Sequence, residues 1–591
     1  MDARVGGLTV PTPWYPTPFN RMSGSFVAEY ARLVRRVARD VHVVHAQEWP
    51  GGKGGADGDT LRPGFDAALD RLAAGGGLRV TGAAGPLTRV PVFTVGGTTI
   101  PERAEAMVRD VRRAVGSFDT PVVHGHVGYW GGLLAARLAD AGSAVFATEH
   151  STGLRAVLDD PAGRDHYAEL LTRATKVFCV SGLLRDQVLA VLPEFADRVE
   201  VLANPVTFRG VPRRVAPVDV LEKWVFVGGL IERKGVERLV RAFVVAAADR
   251  PGVSLTMFGE GPLRDRLVGI AQDAGVADRL HLAGVVPHGE VLARLPEFDL
   301  LLAPSTYETF HLAVVEGVAA GLPVIVTRSG GPEEALAGVE SRVGVFVDVE
   351  DAPDALVDAW RALSADPGAL DLEGAGKELD ARYGPEAVAA RLATAYGVAP
   401  DAVLGSAAAA GASASGSGSA SGSAAAASGA VAQDPERIVV VAASAWRRYG
   451  VEEELAAARH LGVPTVVVTG DPQVTAWAEG LRVVGPAAVE ALGAPSAAVP
   501  GPVAEPLAVV ARKAAGRLKR RLQGRPTALP PASARLAEAD LAGATIVVTD
   551  CHSMPLGVRL ADAATGARLV VELDRGGRLG PPPDSGDEVT P

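Results

Sequence analysis

Short apolar runs of strand length alternate with longer stretches in which apolar residues recur at helical spacing, and this rhythm fills the first 400 or so residues. LTVPTPWYP and VHVVHA bracket a helical FVAEYARLVRRVA. PVVHGH leads into the helical GGLLAARLADAG and on to AVFATEH, and KVFCVS precedes a helix at LLRDQVLAVL. From about residue 222 a second series begins, with the strand runs WVFVGGL, VSLTMFG, LHLAGVV, LLLAPS, VIVTRS and VGVFVD. Alternation of β and α at this spacing predicts doubly wound parallel sheets. Two such sheets leave a cleft between them, and open α/β sheets bind ligands beyond the carboxyl ends of their strands.

Residues 405–433 break the rhythm: they are almost wholly Ala, Gly and Ser, with no apolar stripe to bury, and read as a flexible linker. Beyond it, RIVVVAASAWRRYGVEEELAAARHLGVPTVVVTGD and ATIVVTDCHSMPLGVRLADAATGARLVVELDR each read β-α-β. The tetrapeptide RLAD stands at 137–140 and again at 559–562, a weak internal repeat. Between the two tail segments, ARKAAGRLKRRLQGR (511–525) carries seven basic residues in fifteen positions. It reads either as a solvated basic helix or as one lying on an anionic membrane surface.

The segment ETFHLAVVEGVAAGLPVIVTRSGG (308–331) holds two carboxylates in apolar surroundings. Thr309 can cap a helix, Leu312, Val315, Val318 and Ala319 have helical spacing, and Gly321 and Pro323 end it. On such a helix Glu308 and Glu316 lie roughly 80° apart and about two turns apart. Glu316 would then be partly buried without a partner, which is costly and points to a ligand. In IERKG, Arg233 and Lys234 fall at a strand-to-helix turn, where helix N–H groups already favour an anion and two cations suit a diphosphate. FGEGPLRDRL places Gly259 and Gly261 at another strand end. The N–H groups of Thr309, Phe310, His311 and Leu312 can take a phosphate, Glu316 the hydroxyl pair of a ribose, and Glu308 an attached sugar. A nucleoside diphosphate sugar satisfies all of these groups together.

Composition narrows the field. A chain of 591 residues is too long for one core and suggests three or four domains. The net charge of −11 argues against a general nucleic-acid binder. Cys179 and Cys551 alone supply neither a disulfide framework nor a Cys-rich zinc site. Only 7 Lys stand against 51 Arg, so Lys234 at a suggestive turn stands out. The start of the chain lacks a basic stretch followed by an apolar one, and no apolar run reaches the eighteen or so residues of a membrane span, so a cytoplasmic location is expected.

The combination VFVGGLIERKG, MFGEGPLRDRL, AGVVPHGEV and ETFHLAVVEGVAAGLPVIVTRSGGPEE resembles the retaining glycosyltransferases of family 4, which have the GT-B fold. The likeness runs from residue 1 to about 398, where YGPEAVAARLATAYG is similar to the family's terminal crossing helix. It implies two Rossmann-like domains facing a cleft: an acceptor-side domain at 1–207 with the crossover helix 383–398, and a nucleotide-sugar domain at 208–382. A linker at 399–433 and a partial acceptor-domain-like α/β unit at 434–591, disordered from about 580, would follow. By this resemblance Lys234 contacts the diphosphate, Glu316 the ribose and Glu308 the donor sugar. The loop PTPFNRMSGSFVAEYARLV brings Gly24 to the donor phosphates, and ATEHS brings His150 to the sugar and acceptor. His124 and His126 read as strand-end histidines, and no metal site is expected there.

Two positions depart from the family: Gly229 stands where an Arg is usual, with Arg233 able to supply the charge, and His311 stands where Gly is favoured. In the tail, Asp574 takes the place of the His of ATEHS and no second E-x7-E or KG turn follows, so the tail is expected to lack transferase activity and to serve pairing or regulation. The implied reaction is retaining transfer of a sugar to a hydroxyl acceptor, in glycan or glycolipid biosynthesis, with no metal or other cofactor and no nucleic acid. The acceptor would be a carbohydrate, a lipid-linked group or a small molecule, with peripheral membrane contact through 511–525. Two alternatives stay open: a catalytically impaired sugar-nucleotide-binding scaffold, and a nucleotide-sugar epimerase.

Overall fold

The computed structural model describes residues 4–17, 23–51, 55–82, 84–214, 219–349 and 352–400, and in the tail parts of 437–484 and of 541–571. The expected linker at 405–433, the basic run at 511–525 and Asp574 lie outside the described residues. The chain divides into two compact units, one of Met1–Val44 with Ser117–Ser419, the other of His45–Gly116 with Ala420–Pro591.

In chain order the strands are β1 Val5–Thr12, β2 Ala38–Pro50, β3 Arg79–Gly82, β4 Gly85–Thr94, β5 Val122–His126, β6 Ala144–Glu149, β7 Lys176–Cys179 and β8 Val199–Val201. A second group comprises β9 Lys223–Val227, β10 Ser254–Phe258, β11 Leu280–Gly284, β12 Leu300–Ala303, β13 Val324–Thr327 and β14 Gly344–Val347. The tail adds β15 Ile438–Val441, β16 Thr465–Val468, β17 Arg482–Val484, β18 Thr545–Val548 and β19 Arg568–Val570.

The first sheet has eight strands in the order β3-β4-β2-β1-β5-β6-β7-β8 and is parallel from β1 through to β8, and the second, of six parallel strands, is ordered β11-β10-β9-β12-β13-β14. In each, the chain starts in the middle, winds to one edge, then returns to wind the other way. The crevice where the order reverses lies between β1 and β5 in the first sheet and between β9 and β12 in the second. Ligands bind beyond the strand ends at such points. The strands LLLA and VIVT of β12 and β13 are buried at every position, as sheets covered on both faces require. Around the second sheet pack Trp224, Phe243 and Trp360, and both indole N–H groups donate to the carbonyl of Leu221, at 3.1 and 2.8 Å. These rings therefore enter the core with their polar atoms satisfied.

The helix Pro385–Ala395 returns to the first sheet. Arg36 pairs with Glu386 at 2.9 Å. Beyond the helix, the hydroxyls of Tyr396 and Tyr30 stand 2.6 and 2.7 Å from His124 Nδ1, whose Nε2 faces the Thr148 hydroxyl at 2.7 Å. His124 is thus a satisfied core residue, as the strand-end reading holds.

The second unit includes elements that the apolar pattern did not announce. Its helix Gly55–Ala74 carries Pro63, and its first turns come from a Gly- and Asp-rich stretch that reads as loop. The helix Ile100–Val115 is closed by a capping box, in which the Thr99 hydroxyl accepts from Glu102 N–H and Thr99 N–H donates to the Glu102 carboxylate. Between them β3 and β4 pair antiparallel. The buried carboxylate of Asp110 accepts from Phe93 N–H at 2.9 Å and from the Arg62 guanidinium at 3.0 Å. The tail forms a five-stranded parallel sheet in the order β17-β16-β15-β18-β19. It lies against this part of the same unit: Arg71 pairs with Asp562 at 2.5 Å, and Val571 N–H donates to the Gly77 carbonyl at 3.2 Å.

Candidate functional site

The turn after β9 and the loop after β12 flank the reversal point of the second sheet, and they carry the chemistry. Glu232–Lys234 forms a single helical turn that runs into the helix Val236–Asp249. Lys234 Nζ stands 2.7 Å from a Glu308 carboxylate oxygen, and Arg233 reaches the same oxygen at 3.3 Å while donating to the Tyr307 carbonyl at 2.6 Å. Thr306 N–H donates to the Arg233 carbonyl at 2.8 Å, so backbone bonds lock the turn to the loop. Burial pushes the Glu308 carboxyl up, but the charges of His311, Lys234 and Arg233 outweigh it and bring it down to about 2. Glu308 is therefore ionised at neutral pH, between two cations.

Glu308 is held in place by its backbone. Its N–H donates to the Ser329 carbonyl and its own carbonyl accepts from Gly331 N–H, both at 2.9 Å. A Cβ at Gly331 would stand 2.4 Å from the Phe310 nitrogen, so only glycine allows this approach. The SGG that follows VIVTR thus fixes the first of the two carboxylates.

The helix itself begins later than its sequence suggests. It spans Leu312–Ala319, and its N-cap is His311, not Thr309. Glu308 and Glu316 are consequently not two positions on one helix, and the 80° separation does not apply. The N–H groups left open at the start of this helix belong to His311 and the residues after it, whereas Thr309 and Phe310 precede it. The Thr309 hydroxyl donates to the His150 carbonyl at 3.2 Å, and the buried Phe310 ring packs edge-on against Tyr383 at 5.2 Å.

His311 adopts φ 73° and ψ 66°, the left-handed region. That conformation explains in physical terms why glycine suits this position. Its buried imidazole lies 3.4 Å from the Ser305 hydroxyl and 3.9 Å from Glu308, and burial pulls it down to about 4, so it is neutral at pH 7. A direct comparison checks the strain. His311→Gly melts as a protein more stable than His311→Ala by about 1–2 kcal/mol, because only alanine keeps a Cβ in the left-handed region. Equal unfolding free energies in urea would remove this account.

Glu316 is buried, but it is not without a partner: His288 Nε2 stands 2.7 Å from its carboxylate. Burial pulls His288 down, and the Glu316 carboxylate more than reverses this and leaves it raised. The histidine was visible in AGVVPHGEV, yet nothing in the sequence tied residue 288 to residue 316. Gly229 lies close to the same turn, and a Cβ there would meet nothing nearer than 3.8 Å, so a side chain fits at this position.

The first sheet contributes its own reversal point. Gly24, at φ 63°, caps the helix Ser25–Leu33, and a Cβ there would stand 2.2 Å from the Trp14 carbonyl oxygen. Phe26 on that helix packs against the His150 ring at 4.4 Å. His150 follows β6, and its Nε2 lies 3.0 Å from Nδ1 of His126, the last residue of β5. The structure therefore brings Lys234, Arg233, Glu308 and His311 into one cluster and links Thr309 to His150. His126 and His288 are the partners that sequence reasoning passed over. Among the described residues, no group of three or more His, Cys, Asp or Glu side chains is arranged to hold a metal ion, and no helix is long and apolar enough to cross a membrane.

Comparison with known proteins adds to this geometry. Residues 217–384 match the family described as glycosyl transferases group 1, and residues 55–205 match the glycosyl transferase 4-like domain. The chain is 28% identical to glycogen synthase of Mycobacterium tuberculosis over 205 residues, 34% of this chain and 48% of that protein. It is 30% identical to 2-deoxystreptamine N-acetyl-D-glucosaminyltransferase of Streptomyces fradiae over 244 residues, 38% of this chain and 56% of that protein. The chain thus spans about half the length of these curated relatives. Among solved structures, sucrose-phosphate synthase from Thermosynechococcus elongatus shares the fold at a TM-score of 0.50 and 17% identity, over 66% of this chain and 98% of that one.

Proposed function

We propose that this chain, which belongs to the glycosyltransferases of GT-B fold, moves a sugar from a nucleoside diphosphate sugar to a hydroxyl acceptor with retention at the anomeric carbon. The observation that carries this reading is the cluster at the second reversal point. There two cations, a buried ionised carboxylate and a helix N-terminus meet within one turn and one loop. Such a cluster suits a diphosphate bearing a sugar. Glu316 receives the ribose hydroxyls, Glu308 the sugar, and Lys234 with Arg233 the diphosphate. Gly24 lets the first domain approach the phosphates, and His150 faces the sugar.

In the reaction the acceptor oxygen bonds to the anomeric carbon on the face that the diphosphate leaves. The bond from that carbon to the phosphate oxygen breaks, and the departing oxygen takes the acceptor's proton. Lys234, Arg233 and the N–H groups from His311 onward stabilise the charge that develops on the diphosphate. This chemistry needs no carboxylate pair of the glycosidase kind. It asks for no metal, since fixed cations offset the phosphate charge. The setting would be glycan or glycolipid biosynthesis at the cytoplasmic side, with the acceptor a carbohydrate, a lipid-linked group or a small molecule.

A thermal-shift panel of UDP-, GDP- and ADP-sugars on the full chain, followed by a donor-hydrolysis assay, tests the reading. One nucleotide series raises the melting temperature and its sugar is released or transferred, with turnover surviving excess EDTA. Loss of turnover in EDTA, restored by Mg²⁺, would overturn the metal-free step. Binding without any turnover would favour a sugar-nucleotide-binding scaffold instead.

A further inference from the structure

His150 is fixed in four ways, and only the last acts on its ring nitrogens. Its backbone is held by Glu149, whose buried carboxylate accepts from His150 N–H at 2.9 Å, from Ser151 N–H at 2.8 Å and from Tyr129 N–H at 3.1 Å. Its carbonyl accepts from the Thr309 hydroxyl, and its ring is packed by Phe26. What remains open is which ring nitrogen carries the proton, and the bond to His126 couples that choice to the tautomer of His126.

The two imidazole planes lie within 24° of parallel, with the ring centres 5.2 Å apart, and Nδ1 of His126 stands 3.0 Å from Nε2 of His150. Tyr30 packs over His126 at 3.9 Å. After His126 the chain turns through Val127 at φ 61°, a left-handed conformation that a β-branched residue rarely takes. Strain of this kind gathers where a site is being shaped, and here it is clamped by the Tyr129–Glu149 bond. Both outer nitrogens, Nε2 of His126 and Nδ1 of His150, are buried and have no hydrogen-bond partner. Burial leaves both rings uncharged at neutral pH. One proton therefore lies in the bond between them, and the second must sit on the outer nitrogen of the accepting ring. The dyad thus shows one N–H and one lone pair outward, each unsatisfied until a ligand arrives.

We propose that His126 is a positioning residue for His150: the two form one neutral hydrogen-bonded dyad that sets the tautomer and plane of the imidazole facing the sugar or acceptor hydroxyl. This rests on the reading that His150 faces the sugar, and it adds what that reading lacks, a reason for His150 to present one defined nitrogen.

Two variants of the full chain test it. His126→Phe keeps the ring and loses the Nδ1 partner, whereas His126→Asn places an amide near the Nδ1 position. With the nucleotide sugar found by the thermal-shift panel, His126→Phe lowers kcat by about 10–100-fold, the usual size of such supporting contacts, and leaves KM for the donor nearly unchanged. His126→Asn regains most of that loss. An unchanged kcat in His126→Phe, or equal losses in both variants with lowered melting temperatures, would overturn the proposal. The dyad is also read without turnover, from the ring-nitrogen NMR signals of His150 in histidine-labelled protein. One tautomer in the parent and a mixture in His126→Phe support it, and a mixture in the parent overturns it. A parent that holds one tautomer but transfers no sugar would retire the reaction reading and leave the dyad standing.

Discussion

Lys234→Ala lowers kcat by about 10²–10³-fold, the loss expected when a fixed charge is removed from a leaving group it stabilises. Arg233 does not replace it, because its share of the diphosphate is already in place and one of its nitrogens also serves the Tyr307 carbonyl and Glu308. The substitution has a second effect, on the ligand-free protein. Glu308 is only 5% exposed, and without Lys234 it keeps Arg233 as its one close cation. A buried charge that loses a hydrogen-bonded partner costs about 1–3 kcal/mol, so the variant also unfolds earlier. The two effects separate in a cycle. Lys234→Ala with Glu308→Ala recovers most of the stability, since neither charge is then stranded, and recovers none of the turnover. Lys377→Ala, an exposed lysine paired with Glu373, serves as the control and changes neither. Urea unfolding and steady-state kinetics on the set check both. A Lys234→Ala enzyme within a few-fold of the parent kcat would place the stabilisation of the leaving group elsewhere.

Glu316→Ala weakens binding of the ribonucleotide by about 10–150-fold, because hydrogen bonds to a charged group contribute about 1.5–3 kcal/mol. If Glu316 holds the ribose, the loss depends on the sugar hydroxyls. The 2′-deoxy form of the same nucleotide binds the parent more weakly than the ribose form, and it binds Glu316→Ala no more weakly than the ribose form does. Calorimetric titration of both nucleotides against both proteins gives the coupling directly, and independent losses would deny Glu316 this role. His288 belongs to the same test. It occupies the Glu316 carboxylate in the free protein, so His288→Ala leaves that carboxylate open to the ribose without removing it.

The periodicity of the first 400 residues showed the two sheets because parallel strands buried on both faces must be apolar throughout. VIVT and LLLA carry that signal with no help from context. The turn at Lys234 was legible for a similar reason: a rare residue type stood where a strand passes into a helix. What the sequence did not carry is pairing over distance. Nothing in AGVVPHGEV links His288 to Glu316, and nothing in PVVHGH links His126 to His150, although the adjacency of β5 and β6 puts both histidines at neighbouring strand ends. The helix start was misplaced at Thr309 because a β-branched hydroxyl residue is a good cap, while a left-handed histidine is not an expected one. The helix Gly55–Ala74 stayed hidden behind its glycines and Pro63.

One consequence follows from where Tyr396 ends. His124 lies on a central strand of the first sheet, yet one of its hydroxyl neighbours comes from the far end of the 1–400 segment, after the whole second sheet has been made. During synthesis the first sheet therefore emerges with that position unfilled, and it waits for some 270 further residues before the Tyr396 hydroxyl can arrive. The order in which the chain leaves the ribosome is thus not the order in which its parts are completed, and the earliest domain to appear is the last to close.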